Sequence, residues 1–192
     1  MAEKQYLSAQ GLLEDSFKLG AHIVNSGFRP TFMIAVWRGG VPIGTAVQEF
    51  LDYHGIATDN IAIRTASYSG IDQQRREVAV YGLDYLVKHI THDDALLIVD
   101  DVYDTGRSIE AIIQELRRRA RLNTPADIRL AVPYYKPDRN ETDRVPDFYL
   151  YETDAWLKYP HSLEGLSVRE IREHRPELYA ILAPHLPDDD HS

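Results

Sequence analysis

The stretch LLIVDDVYDTGRSI, residues 96–109, decides the fold, because it carries an apolar strand through an acidic pair and a small-residue turn into a helix. Leu96, Leu97, Ile98 and Val99 form a short continuous apolar run, the pattern of a strand covered on both faces of a parallel sheet. Asp100 and Asp101 stand where that strand ends. Thr105, Gly106, Arg107 and Ser108 then lead into Ile109, Ile112, Ile113 and Leu116, whose spacing predicts a helix with Ser108 near its N-cap. Such a loop suits an anion: backbone N–H groups, the positive end of a helix dipole, two hydroxyls and a glycine all favour close approach of a phosphate. Two adjacent carboxylates repel each other unless a cation or sugar hydroxyls engage them. For a bare Asp-Asp pair, the plain alternative is a solvated, helix-capping turn.

Outward from this stretch the chain alternates strand and helix. A helix capped by Ser8 carries Leu12, Leu13, Phe17, Ala21 and Val24 and ends near Gly27. Residues 32–37 read as a buried strand, followed by Arg38-Gly39-Gly40 and a helix over 42–54. Strands are expected near 61–66, 78–81, 95–99, 128–134 and 148–151, with the helix from Ser108 running to about Ala120. This order implies an α/β fold: a parallel central sheet flanked by helices. Ligands of such folds bind at the carboxyl ends of the strands, where the loops opening at Arg38, Ser67, Asp100 and Lys136 begin.

A chain of 192 residues, 44% hydrophobic and 27% charged, can bury one good core and a small appended lobe. No cysteine is present, so disulfides and thiolate zinc sites are excluded. The eight histidines are scattered, and His89 and His92 lack a helical metal-ligand spacing. No apolar run approaches ~18 residues and the N-terminus has no signal-like core, so the expected compartment is the cytoplasm and no membrane partner is expected. A formal net charge of −9 argues against nucleic-acid binding, which needs clustered cations. The basic run Arg117, Arg118, Arg119 and Arg121 falls at the end of the predicted helix, where it complements the helix dipole. The tail 187–192 is expected to be flexible.

The string VDDVYDTGRS, residues 99–108, resembles the phosphoribosyl pyrophosphate (PRPP) motif of the type I phosphoribosyltransferases. The resemblance implies that Asp100 and Asp101 bind the ribose hydroxyls, with Mg2+ held at or near this pair, and that Thr105, Gly106, Arg107 and Ser108 bind the 5′-phosphate. It gives Asp104 the place of the proton acceptor near N7 of a 6-oxopurine. AVWRGGVPIG, residues 35–44, resembles the family's pyrophosphate loop, with Arg38 and Gly39 as ligands and a cis peptide expected between Trp37 and Arg38. In the family, a loop opening with Ser-Tyr, here Ser67 and Tyr68, closes over the site. Lys136 and, about twenty residues on, Trp156 and Leu157 resemble the base pocket of the purine enzymes: the lysine on O6, the aromatic stacked on the ring, the next residue offering backbone groups.

The resemblance covers roughly residues 31–162 and implies one phosphoribosyltransferase domain over 1–192. Its core would span about 28–135 and a small hood about 136–165, with the N-terminal helix a candidate addition. The implied activity is purine salvage, a pentosyl transfer from PRPP to N9 of hypoxanthine, guanine or xanthine, by a homodimer or homotetramer. Where some relatives place an acidic residue shortly after the stacking aromatic, this chain reads Lys158, Tyr159, Pro160, His161 and Ser162, which leaves recognition at C2 open. Two alternatives share the PRPP loop: a nucleotide-binding regulator, disfavoured by Asp104 and the acidic charge, and a transferase for another base, disfavoured by Lys136 and Trp156.

Overall fold

A computed structural model describes residues 4–69 and 76–186. The centre of the polar segment after Ser67, residues 70–75, and the tail 187–192 lie outside the described residues. In chain order the elements are β1 (Lys4–Tyr6), α1 (Ala9–Asn25), β2 (Phe32–Trp37), α2 (Gly40–Tyr53), β3 (Asp59–Ser69), β4 (Arg76–Tyr81) and α3 (Asp84–His89). They continue with β5 (Ala95–Val99), β6 (Val102–Tyr103), α4 (Arg107–Ala120), β7 (Asp127–Tyr135), β8 (Phe148–Glu152), β9 (Trp156–Lys158), α5 (Val168–His174) and α6 (Pro176–Leu182). The chain divides into two compact units, Gln10–Asp154 and Met1–Ala9 with Ala155–Ser192.

The larger unit is a seven-stranded sheet in the order β4-β3-β2-β5-β7-β6, with β8 also paired to β7. All pairings are parallel except β3 with β4. Alternation along the central strands explains why the motif strand is apolar throughout. Phe32, Ile34, Val36, Leu96 and Ile98 pack with Leu86 of α3 and Ile109, Ile112, Ile113 and Leu116 of α4. On the opposite face, a Cβ added to Gly44 of α2 would lie 2.9 Å from the Cβ of Ala35. Both faces are therefore covered, and each fully buried aliphatic side chain contributes about 1.5–3 kcal/mol.

The sheet is interrupted at one place that matters. β5 pairs with residues 127–131 of β7 and β6 with Tyr134 and Tyr135 of the same strand, so Asp100 and Asp101 are a gap in one line of pairing. Pro133 falls in the stretch of β7 opposite the gap and has no N–H to donate to a ladder. Asp100 N–H still reaches the Ala131 carbonyl at 3.2 Å.

The smaller unit pairs β1 with β9 in parallel, Lys4 opposite Trp156 and Tyr6 opposite Lys158. The Arg175 guanidinium donates to the carbonyls of Lys158, Tyr159 and Ser162 at 3.0, 2.7 and 2.7 Å, tying the chain after β9. α5 opens with a capping box in which Ser167 and Glu170 satisfy each other's backbone N–H, and Lys4 also pairs with Glu170. The bond from Lys4, then those from Ser167, pull the Glu170 carboxyl from 4.5 down to about 2. A lowered folded value means stability that is present above the unfolded value and lost as pH falls toward the folded one. Glu170→Gln should therefore lower the melting temperature slightly at neutral pH and converge on the parent as pH falls toward about 2, flattening the acid side of the profile between 4.5 and about 2, measured by circular dichroism.

Candidate functional site

The site of the larger unit is assembled at the interrupted strand. The turn between β2 and α2 carries Arg38, which is exposed, and the Trp37–Arg38 peptide is cis, as the resemblance implied. A Cβ on Gly39 would overlap the Asp101 carboxylate, and one on Gly40 would lie 2.5 Å from the Val99 carbonyl oxygen and 2.9 Å from Asp100 Cα. The two glycines thus let the turn lie flat against the acidic pair. Two motifs about sixty residues apart in the chain meet there.

Beyond the gap, β6 leads to Gly106, which is left-handed at φ 77 and is the N-cap of α4. The sequence expectation of Ser108 near the N-cap is corrected: the helix begins at Arg107 and Ser108 sits in its first turn. A left-handed glycine turns the chain into the helix earlier than hydroxyl preference alone suggests, and any side chain at 106 would overlap the Tyr103 hydroxyl. Residues 100–106 with Ser108 and Ile109 line a cleft of about 230 Å³. The Thr105 hydroxyl accepts from Arg107 N–H at 3.5 Å.

Asp104 stands between two cations. Its Oδ2 is 3.9 Å from Lys136 Nζ and its Oδ1 is 2.8 Å from Arg139 Nε; the latter contact is an ion pair without an aligned hydrogen bond. Lys136 is buried, and its backbone N–H donates to the Tyr103 carbonyl at 2.9 Å, which seats the lysine beside the loop that carries Asp104.

Sequence reading missed the segment that follows, taken there as a polar loop. Glu141 N–H donates to the Thr105 carbonyl at 3.1 Å and the Glu141 carboxylate pairs with Arg107. The hydroxyls of Thr142 and Tyr103 are 2.7 Å apart, and Arg144 Nε meets Glu110 at 3.0 Å. A signal was available: Asp104, Arg107 and Glu110 alternate in charge, and Arg139, Glu141 and Arg144 alternate in the opposite sense.

Ser67 and Tyr68 sit on β3, paired with Val78 and Glu77 of β4. Trp156 and Leu157 belong to β9 of the smaller unit, the first 57% exposed and the second buried. Among the described residues no group of three or more His, Asp or Glu side chains could hold a metal, and no helix is long and apolar enough to cross a membrane.

The profile of the phosphoribosyl transferase domain matches residues 3–164. The chain belongs to the phosphoribosyl transferase family. A hypoxanthine-guanine phosphoribosyltransferase of Lactococcus lactis subsp. lactis (strain IL1403) is 27% identical over 149 residues, 76% of this chain and 74% of the relative. The crystal structure of a purine phosphoribosyltransferase from Pyrococcus horikoshii superposes with TM-score 0.69 at 26% identity, covering 85% of this chain and 97% of that one. A Neisseria gonorrhoeae protein solved with bound ppGpp has the same fold, with TM-score 0.71 at 24% identity over 94% and 98% of the two chains.

In this phosphoribosyl transferase the Asp100 carboxyl resists ionisation. Burial, and after it the charge of Asp101, pushes the Asp100 carboxyl well above the usual carboxylate range; the Asp101 N–H, donating to Asp100 Oδ1 at 2.9 Å, opposes this only in part. A raised folded value means the ligand-free protein loses stability as pH rises above the unfolded value and through the folded one. Asp100→Asn removes that loss. Its melting temperature, without ligands, should exceed the parent's at about pH 8 and match it below about pH 4, while transferase activity falls steeply.

Proposed function

We propose that this chain is a purine salvage enzyme, transferring the phosphoribosyl group of PRPP to N9 of a 6-oxopurine with release of pyrophosphate, in the cytoplasm and as a homo-oligomer. The observation that carries this reading is the Lys136–Asp104 pair, ammonium and carboxylate 3.9 Å apart. On a purine, N7 and position 6 lie side by side on one edge. An ammonium can only donate and a carboxylate can only accept. Together they complement a base whose O6 accepts while N7–H donates. Adenine presents an amino donor where Lys136 requires an acceptor.

The remaining roles follow the family resemblance. Thr105, Gly106, Arg107 and Ser108 take the 5′-phosphate at the start of α4, where the dipole and free N–H groups favour an anion. Asp100 and Asp101 take the ribose hydroxyls, and Arg38 with the Gly39 backbone takes the pyrophosphate. Adjacent carboxylates of which one resists ionisation fit a hard divalent cation that needs few protein ligands; Mg2+ held by Asp100 and Asp101 would neutralise charge departing with pyrophosphate. Trp156 stacks on the base and Leu157 offers backbone groups to its edge. The segment opening at Ser67 and Tyr68 excludes water, which would otherwise consume the activated sugar. Asp104 accepts the N7 proton as the bond to N9 forms.

Asp104→Asn keeps the size of the side chain and removes the proton acceptor. Its kcat should fall by about two to four orders of magnitude, with PRPP affinity little changed, in steady-state assays and PRPP titrations. An unchanged kcat with chemistry rate-limiting would remove Asp104 from this role.

Base choice tests the whole reading. In assays with PRPP, Mg2+ and each of hypoxanthine, guanine, xanthine, adenine, uracil and orotate, a 6-oxopurine should exceed adenine by roughly 10⁴ in kcat/KM. Lys136→Ala should weaken 6-oxopurines selectively. Efficient use of adenine or orotate by the parent enzyme would overturn the assignment.

A further inference from the structure

Lys158 is a lysine buried to 3% exposure in the smaller unit. Lysines are rarely buried so fully, and an ammonium taken out of water is unfavourable unless it gains directed partners. Those it has are a backbone carbonyl and a π face: Nζ donates to the Glu164 carbonyl at 2.9 Å and lies 4.9 Å from the centre of the Trp156 ring. The rest of the residue is equally fixed. Its carbonyl accepts from Leu7 N–H and from the Arg175 guanidinium, each at 3.0 Å, and a Cβ on Gly165 would approach Nζ to 3.1 Å.

Trp156 sits two residues earlier on β9, so both side chains stand on the same face of the strand. The residue is more than half exposed, although tryptophan is highly buried on average. An exposed ring on a three-residue strand has little packing to hold its plane. The seated cation supplies that hold, and a methionine or leucine filling the same space would not.

We infer that Lys158 is a positioning residue: its ammonium, anchored by the Glu164 carbonyl, fixes the plane of the Trp156 indole so that the ring forms a preset stacking platform for the purine. The inference rests on the reading of Trp156 as the base-stacking residue. It also gives the chain's departure from its relatives at this position a use other than contact with the C2 substituent, since Nζ is already engaged.

The test compares Lys158→Gln, which keeps a donor for Glu164 but has no charge, with Lys158→Arg, which keeps a cation able to sit on the ring. Steady-state assays of the full chain would use PRPP, Mg2+ and the best 6-oxopurine. Lys158→Gln should raise the KM for the base about five- to tenfold, while kcat and the KM for PRPP stay within about twofold, and Lys158→Arg should recover most of the loss. In a Trp156→Leu background, Lys158→Gln should add nothing. With Trp37→Phe, Trp156 is the sole tryptophan, and Lys158→Gln should lower its fluorescence anisotropy and shift its emission. An unchanged base KM in a Lys158→Gln protein of normal melting temperature, or a full additional loss on top of Trp156→Leu, overturns the inference. Should Lys158→Gln not fold, Lys158→Met takes its place, with the same two results deciding. A Trp156→Leu enzyme that keeps the parent KM for every base overturns the stacking reading itself, whereas a raised KM there beside an unaffected Lys158→Gln removes only the role of Lys158.

Discussion

Two consecutive carboxylates at the end of one buried parallel strand are the constraint to which the larger unit is fitted. In a continuous strand, neighbouring side chains point to opposite faces, and one of the two aspartates would enter a core layer. The pairing is broken at Asp100 and Asp101 instead, and both residues line one cleft. The side-chain-free turn at Gly39 and Gly40 fits into the space this leaves. Burial first, and then the charge of Asp101, keeps the Asp100 carboxyl well above its ordinary range. The apolar layers on both sides, with Leu96, Leu97, Ile98 and Val99 all fully buried, are what make such a locally unfavourable arrangement tolerable.

The larger unit was legible wherever period and punctuation agreed. β2 spans residues 32–37 and β5 residues 95–99, as read from their apolar runs. Less legible was β3, which extends to Ser69 through polar residues, where pairing with its antiparallel partner β4 carries the strand on. β6 and β9 are two and three residues long, too short for any periodicity to show. Of the site, Asp100 to Ser108 and the Arg38 turn were readable because each requires a particular residue type at a particular step. Arg139, Glu141 and Thr142 were not, since each acts through a partner more than thirty positions away. Pro133 takes its meaning from the gap between β5 and β6 that it faces, which no local pattern marks.

The segment after Lys136 makes the two functional loops a single mechanical piece. Tyr103, Asp104, Thr105, Arg107 and Glu110 each have a partner between residues 136 and 144. The pairs differ in worth. Arg107 with Glu141 is nearly half exposed on both sides, where ion pairs contribute about 0–1 kcal/mol. The contacts of Tyr103 and Thr105 are hydrogen bonds of a buried or partly buried loop and hold geometry more firmly. A phosphate arriving at Arg107 would therefore displace a weak partner without dismantling the frame beneath it.

The parallel pairing of Lys4, Gln5 and Tyr6 with Trp156, Leu157 and Lys158 has a consequence for how the molecule is made. During synthesis the first strand emerges from the ribosome more than 150 residues ahead of its strand partner. The larger unit contains its own sheet and core and can form while the rest is still being translated. The strand carrying Trp156 closes against Lys4–Tyr6 only after the residues up to 158 have been made, and such long-range closure is slow. An interrupted translation product would therefore carry the finished loop of residues 100–108 and no strand bearing Trp156.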